Sequence, residues 1–170
     1  ARFMLIAAMN PCPCGYWGDT RRSCTCSGSQ IHRYRARISG PLLDRIDIHV
    51  EVPPVTIREL SMDREEEPSE TIRERVMNAR KTQEERFRDK KIYANGQIGA
   101  RIIKKHCLLS DNGKNLLEKA VEKFGLSPRA YHRIMRVART IADMENGDHI
   151  AESHVAEAIQ YRVLDKRMTL

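Results

Sequence analysis

The sequence predicts a mostly α-helical chain with a small α/β piece at its start. Two observations carry this. From Ser69 onward every segment repeats its apolar residues at helical spacing. Before Pro53 there are instead two short strand patterns, separated by a loop dense in cysteine.

FMLIAAMN, 3–10, is a short unbroken apolar run closed by Asn-Pro. It reads as a strand buried on both faces. Pro11 and Pro13 push Asn10 and Cys12 into extended conformations, so no helix follows directly. Residues 29–39 read as an arginine-rich, weakly amphipathic helix. Gly40-Pro41 breaks it, and Leu42 to Arg45 makes about one helical turn. IDIHVEV, 46–52, alternates with period two as a second strand, which Pro53-Pro54 ends. An acidic linker, 58–68, ends in proline. Ser69 is an N-cap candidate, with Ile72, Val76 and Ala79 behind it. A helix near 97–107 carries Ile98, Ile102 and Ile103. Ser110 or Asp111 opens the next, with Leu116, Leu117, Ala120, Val121 and Phe124 on one face and Gly125 past its end. Ser127-Pro128 pairs an N-cap with proline at the first helical position. The helix it opens buries Ala130, Ile134, Val137, Ala138 and Ile141. A last helix carries Val155, Ala158, Ile159 and Val163. The division is therefore 1–57, 58–68 and a helical 69–170. A doubly buried strand needs neighbours on both sides and helices above and below, and two strands do not supply them. The first part reads as the end of a larger α/β domain.

The chain has 170 residues and a net charge of +7, from 30 basic and 23 acidic side chains. That favours a polyanionic partner without specifying one. From Asp19 to Arg45 six arginines face two aspartates, and from Glu59 to Glu70 six acidic residues face Arg64. No apolar stretch reaches the roughly 20 residues of a membrane span, so no membrane partner is expected. With no secretory segment in view and Cys107 left over, the expected home is the reducing cytoplasm.

Four of the five cysteines fall in Cys12-x-Cys14-x9-Cys24-x-Cys26. Two close pairs of thiolates suit a tetrahedral zinc, although two-residue spacers are commoner than single ones. Gly15, Gly18 and Gly28 let the backbone bend around the ion, and Tyr16 and Trp17 are placed to cover it. The loop is too short and polar to form a core, so a structural metal would supply its folding energy. Free thiols or two disulfides are the competing readings. A catalytic zinc is not expected, because four cysteines leave no open position.

In an open α/β sheet ligands sit beyond the carboxyl ends of the strands. Asn10 occupies that place, where its amide suits a water or a terminal phosphate. Equally, it is a residue that merely ends the strand. Arg45, between a short helix and a strand, suits a neighbouring subunit's nucleotide, or a surface salt bridge with Asp44 or Asp47. Arg129, Arg133 and Arg136 form a basic stripe whose bland reading is a solvated face.

The runs AAMNPCPCG, ISGPLLDRIDIHVEVPPV and LSPRAYHRIMRVARTIADME together resemble one family, the magnesium-chelatase-like AAA+ ATPases of the YifB/ComM group. The resemblance spans nearly the whole chain and is weakest over 58–92. It implies that residues 1–57 are the C-terminal end of an AAA+ core, and that 69–170 are the helical lid. It also implies that Asn10 is the sensor-1 residue, Arg45 the arginine finger and Arg129 the sensor-2 arginine. Arginine's planar fork suits phosphate oxygens, and arginine fingers stabilise charge developing in phosphoryl transfer. The 170 residues hold no G-x-x-x-x-G-K-[ST]; Gly113-Lys114 is followed by Asn115. The expected reading is a C-terminal fragment that does not hydrolyse ATP alone, whose full-length parent uses ATP and Mg²⁺.

The resemblance implies a hexameric ATP-driven DNA motor, similar to branch-migration helicases. A subunit of a true magnesium chelatase is one alternative, and a zinc-ribbon module without nucleotide chemistry is another. The cysteine loop favours the first, since the chelatase subunit, as the resemblance has it, lacks that insert. In the strand order it implies, the P-loop strand lies between FMLIAAMN and IDIHVEV. The open edges of these two are therefore expected to pair abnormally, by exchange across a dimer.

Overall fold

The computed structural model describes residues 3–55, 61 and 66–162. Its helices are α1 (Gly28–Arg35), α2 (Gly40–Leu43), α3 (Ser69–Arg86), α4 (Ala100–His106), α5 (Asp111–Phe124), α6 (Pro128–Met144) and α7 (Glu152–Gln160). A 3-10 turn at Asn95–Gln97 lies between α3 and α4. Val163 and most of the acidic linker lie outside the described residues.

α6 is the central helix. Ser127 Oγ accepts from Ala130 N at 3.1 Å and Pro128 presets the first turn, as the Ser-Pro signal requires. Ala130, Ile134, Ala138 and Ala142 recur every four residues along its buried face. Three of these are alanines, so α7 can lie close, with Val155, Ala158 and Ile159 turned inward. α5 packs on the other side of α7 and contributes Leu117 and Ala120. Ser110 caps it. Gly125, at φ 57°, ends it in the left-handed conformation, and Leu126 N reaches back to Val121 O at 3.0 Å. Ile98, Ile103, Phe87 and Ile150 close the core. Half of α3 departs from expectation: Ala79 is buried, but Ile72 and Val76 are exposed.

A buried polar cluster ties α3, the 3-10 turn and α6 together. Asp143 takes both guanidinium nitrogens of Arg86, Arg139 Nε at 3.0 Å and Asn95 Nδ2 at 2.7 Å. Arg139 also donates to the carbonyls of Gly147 and Asp148, closing the turn after α6. Two guanidinium groups and an amide thus satisfy one buried carboxylate, the condition on which a buried charge is tolerated.

The two expected strands do not form. Residues 3–10 and 46–52 carry no regular structure, and the isolated Leu109–Ile150 bridge is the only β pairing among the described residues. Phe3 (78 % exposed), Met4 and Ile6 face solvent. A strand exists through its neighbours' hydrogen bonds, and the described residues contain no sheet to join. The α/β part of the predicted fold is corrected accordingly: this chain is helical, with irregular segments at its start.

The start of the second segment is nonetheless anchored. Ser127 Oγ donates to Asp44 Oδ1 at 2.8 Å, Arg162 lies 3.6 Å from the same carboxylate, and Arg133 pairs with Asp47. Arg162 donates to Ile46 O, and His49 N donates to Tyr161 O at 2.9 Å. Residues 44–49 therefore lie along the start of α6 and the end of α7.

Candidate functional site

The cysteine loop is built from two successive turns. Pro13 presets the first, in which Gly15 N bonds Cys12 O at 3.0 Å. In the second, Asp19 N bonds Tyr16 O at 3.1 Å. Gly15 and Gly18 have φ of 84° and 88°, a conformation that disfavours any side chain. Asp19 Oδ1 then accepts from Arg21 N and Arg22 N, and the first of these bonds holds its carboxyl below the usual range. Ser27 caps α1 reciprocally with Gln30, so Cys24 and Cys26 run straight into a fixed helix start.

These turns bring all four predicted cysteines together. Cys12, Cys14, Cys24 and Cys26 place their sulfurs within 4.8 Å of one another. Cys12 Sγ lies 3.4 Å from Cys14 Sγ and 3.7 Å from Cys24 Sγ, and Cys14 to Cys24 is 3.6 Å. A tetrahedral ion with Zn–S of about 2.3 Å sets its sulfurs about 3.8 Å apart, so the donor set fits zinc. The separations exceed the ~2.05 Å of a disulfide, and the cysteines are free. Backbone N–H groups of Tyr16 and Thr25 lower the Cys14 thiol to about 5. The Cys26 N–H favours the Cys24 thiolate, but burial and the neighbouring thiols outweigh it and raise Cys24 to about 12. Trp17 N donates to Cys12 Sγ at 3.3 Å, tying the aromatic residue's backbone to a ligand sulfur. The two rings also carry guanidinium groups. Arg22 lies over Tyr16 at 5.2 Å and Arg35 over Trp17 at 4.7 Å.

The other three predicted residues are exposed. Asn10 lies against the first turn: a Cβ at Gly15 would come 3.9 Å from its Nδ2. Arg45 follows α2 and donates to Pro41 O at 2.6 Å; neither Asp44 nor Asp47 pairs with it. Arg129 is in the first turn of α6 and carries no ion pair among the described residues. The Ser127–Asp44 bond brings the Arg45 and Arg129 segments together, while no such bond joins Asn10 to either. The stripe behind Arg129 is not a plain solvated face: Arg133 pairs with Asp47, and Arg136 donates to Gly96 O at 3.0 Å. Sequence reasoning missed the Asp143 cluster. Its signal was present, since Arg139 and Asp143 follow Met135 at four-residue spacing on the apolar side of α6.

Family models match both the part that holds the four-cysteine loop and the helical part. Residues 66–162 match the model described as magnesium chelatase, subunit ChlI C-terminal, and residues 1–60 match magnesium chelatase, subunit ChlI. The chain belongs to this magnesium-chelatase-like family, and within it matches the YifB/ComM group. It is 43% identical over 170 residues to the competence protein ComM of Haemophilus influenzae, covering 96% of this chain and 31% of that protein. It is 41% identical to the uncharacterized protein YifB of Salmonella typhimurium, with 98% and 32% covered, and 39% identical to YifB of Escherichia coli, with the same coverage. The chain thus spans about a third of the length of these relatives. No helix among the described residues is long and apolar enough to cross a membrane.

Proposed function

We propose that this chain is the C-terminal part of an AAA+ ATPase acting as a hexameric, ATP-driven motor on DNA. Residues 1–57 contribute the end of the ATPase core, and the helices from Ser69 onward contribute its lid. Asn10 serves as sensor 1, Arg45 as the arginine finger toward a neighbouring subunit, and Arg129 as the sensor-2 arginine. Cys12, Cys14, Cys24 and Cys26 hold a structural zinc that keeps the loop after Asn10 in shape. The phosphate cradle and the Mg²⁺ ligands belong to the longer protein.

One observation carries the reading: Arg45 is exposed and paired with neither flanking aspartate. Asp44 and Asp47 are instead engaged by the lid side chains Ser127, Arg162 and Arg133. Arg45 bonds a carbonyl of its own turn and neither carboxylate, so its guanidinium keeps donors for an external phosphate, and the Ser127–Asp44 bond ties its segment to the helix that bears Arg129. Bound ATP supplies the transferable phosphoryl group; Arg45 supplies positive charge where negative charge develops. The test is Arg45→Ala in the longer protein. Hydrolysis is expected to fall by roughly 10³-fold or more with nucleotide binding nearly intact. An unchanged rate would return Arg45 to a surface role.

A further inference from the structure

We propose that the cysteine loop and α1 form a binding surface for single-stranded DNA, with a base stacked on Trp17 and the backbone phosphates met by Arg22, Arg33, Arg35 and Arg37. The choice of DNA rests on the functional reading above; the surface itself is carried by four observations. From Thr20 to Leu43 there are five arginines and no acidic residue, whereas ordinary protein surfaces intersperse the two signs. Arg33, Arg35 and Arg37 carry no ion pair among the described residues. α1 buries none of its residues, and Arg33 at its end and Arg37 just beyond it are exposed. Finally, Trp17 is 41 % exposed, with Arg35 stacked on one side of its ring.

That combination answers single strands better than duplex. A cationic track alone binds any phosphate backbone, but an exposed indole with one stacked guanidinium, Arg35, offers a platform that only an unpaired base can reach. The loop is also braced for the task. Trp17 N–H bonds a candidate metal-ligand sulfur, and Arg22 Nη1 bonds Tyr16 Oη at 2.7 Å, so both aromatic residues are held before any ligand arrives.

Trp17 is the chain's single tryptophan, so its fluorescence reports on this surface alone. The 170-residue chain, prepared with zinc present, is titrated with oligothymidylate of about a dozen nucleotides. Saturable quenching is expected. Trp17→Ala should weaken binding about tenfold, read by anisotropy of a labelled oligonucleotide. The exposed pair Arg33→Ala and Arg37→Ala should keep the zinc content of the parent while flattening the slope of log affinity against log salt by about 1.4. Oligonucleotide binding that leaves Trp17 emission unchanged would overturn the assignment. So would duplex DNA, oligouridylate or inorganic polyphosphate binding as tightly with the same quenching. The two readings fail separately. Arg45-dependent hydrolysis in the longer protein with no response at Trp17 removes this surface and leaves the ATPase. Hydrolysis that ignores Arg45 removes the finger whatever Trp17 does.

Discussion

Asp143 is fully buried, and its carboxylate is shared by Arg86, Arg139 and Asn95. Removing it leaves two guanidinium groups without their counter-charge, one of them in a side chain only 3 % exposed. Asp143→Ala is therefore expected to cost about 3–5 kcal/mol of unfolding free energy, measured by urea denaturation. Lys114→Ala, which removes an exposed pair with Glu118 at 3.9 Å, should stay within about 1 kcal/mol. Equal effects from both variants would mean that Asp143 is not the tie between α3 and α6. The sequence carried a signal that went unread, Arg139 and Asp143 at four-residue spacing on the apolar side of α6. It did not show Arg86, 57 residues earlier, as the main partner.

At the scale of elements, the cysteine loop was legible because its geometry is local. Two turns, two glycines at positive φ and one capping box are specified within residues 12–30, and they suffice to gather four sulfurs. A structural ion there should bind at about one per chain, read by metal analysis of protein prepared without chelator. Cys24→Ser should lower both the zinc content and the thermal stability. Full zinc retention in that variant, or two intact disulfides in protein kept reduced, would refute the centre. The helices were legible for the same reason. Ser110, Gly125 and Ser127-Pro128 act within one turn of where they stand. Ile72 and Val76 were not, since helical spacing marks a stripe without saying what covers it.

For the whole molecule, the decisive feature is the run Phe3 to Met9. These apolar residues are exposed and their backbone has no ladder among the described residues. Such a segment is a template for strand addition. Light scattering across a concentration series is expected to show growth toward a dimer, with amide protection of residues 3–9 appearing only as it forms. A monomer at every concentration, with those amides exchanging freely, would exclude exchange between copies.

By itself the sequence determined the helices, their caps, the gathering of Cys12, Cys14, Cys24 and Cys26, and the family. Each rests on residues close together in the chain or on a pattern long enough to be specific. Only the tertiary structure decided that the two strand patterns form no ladder among the described residues, that Asp143 is the buried hub, and that Asp44 and Asp47 are engaged by Ser127, Arg162 and Arg133 while Arg45 is left exposed. Strand pairing and buried charge networks depend on partners distant in the chain, and local propensity carries no information about whether those partners arrive.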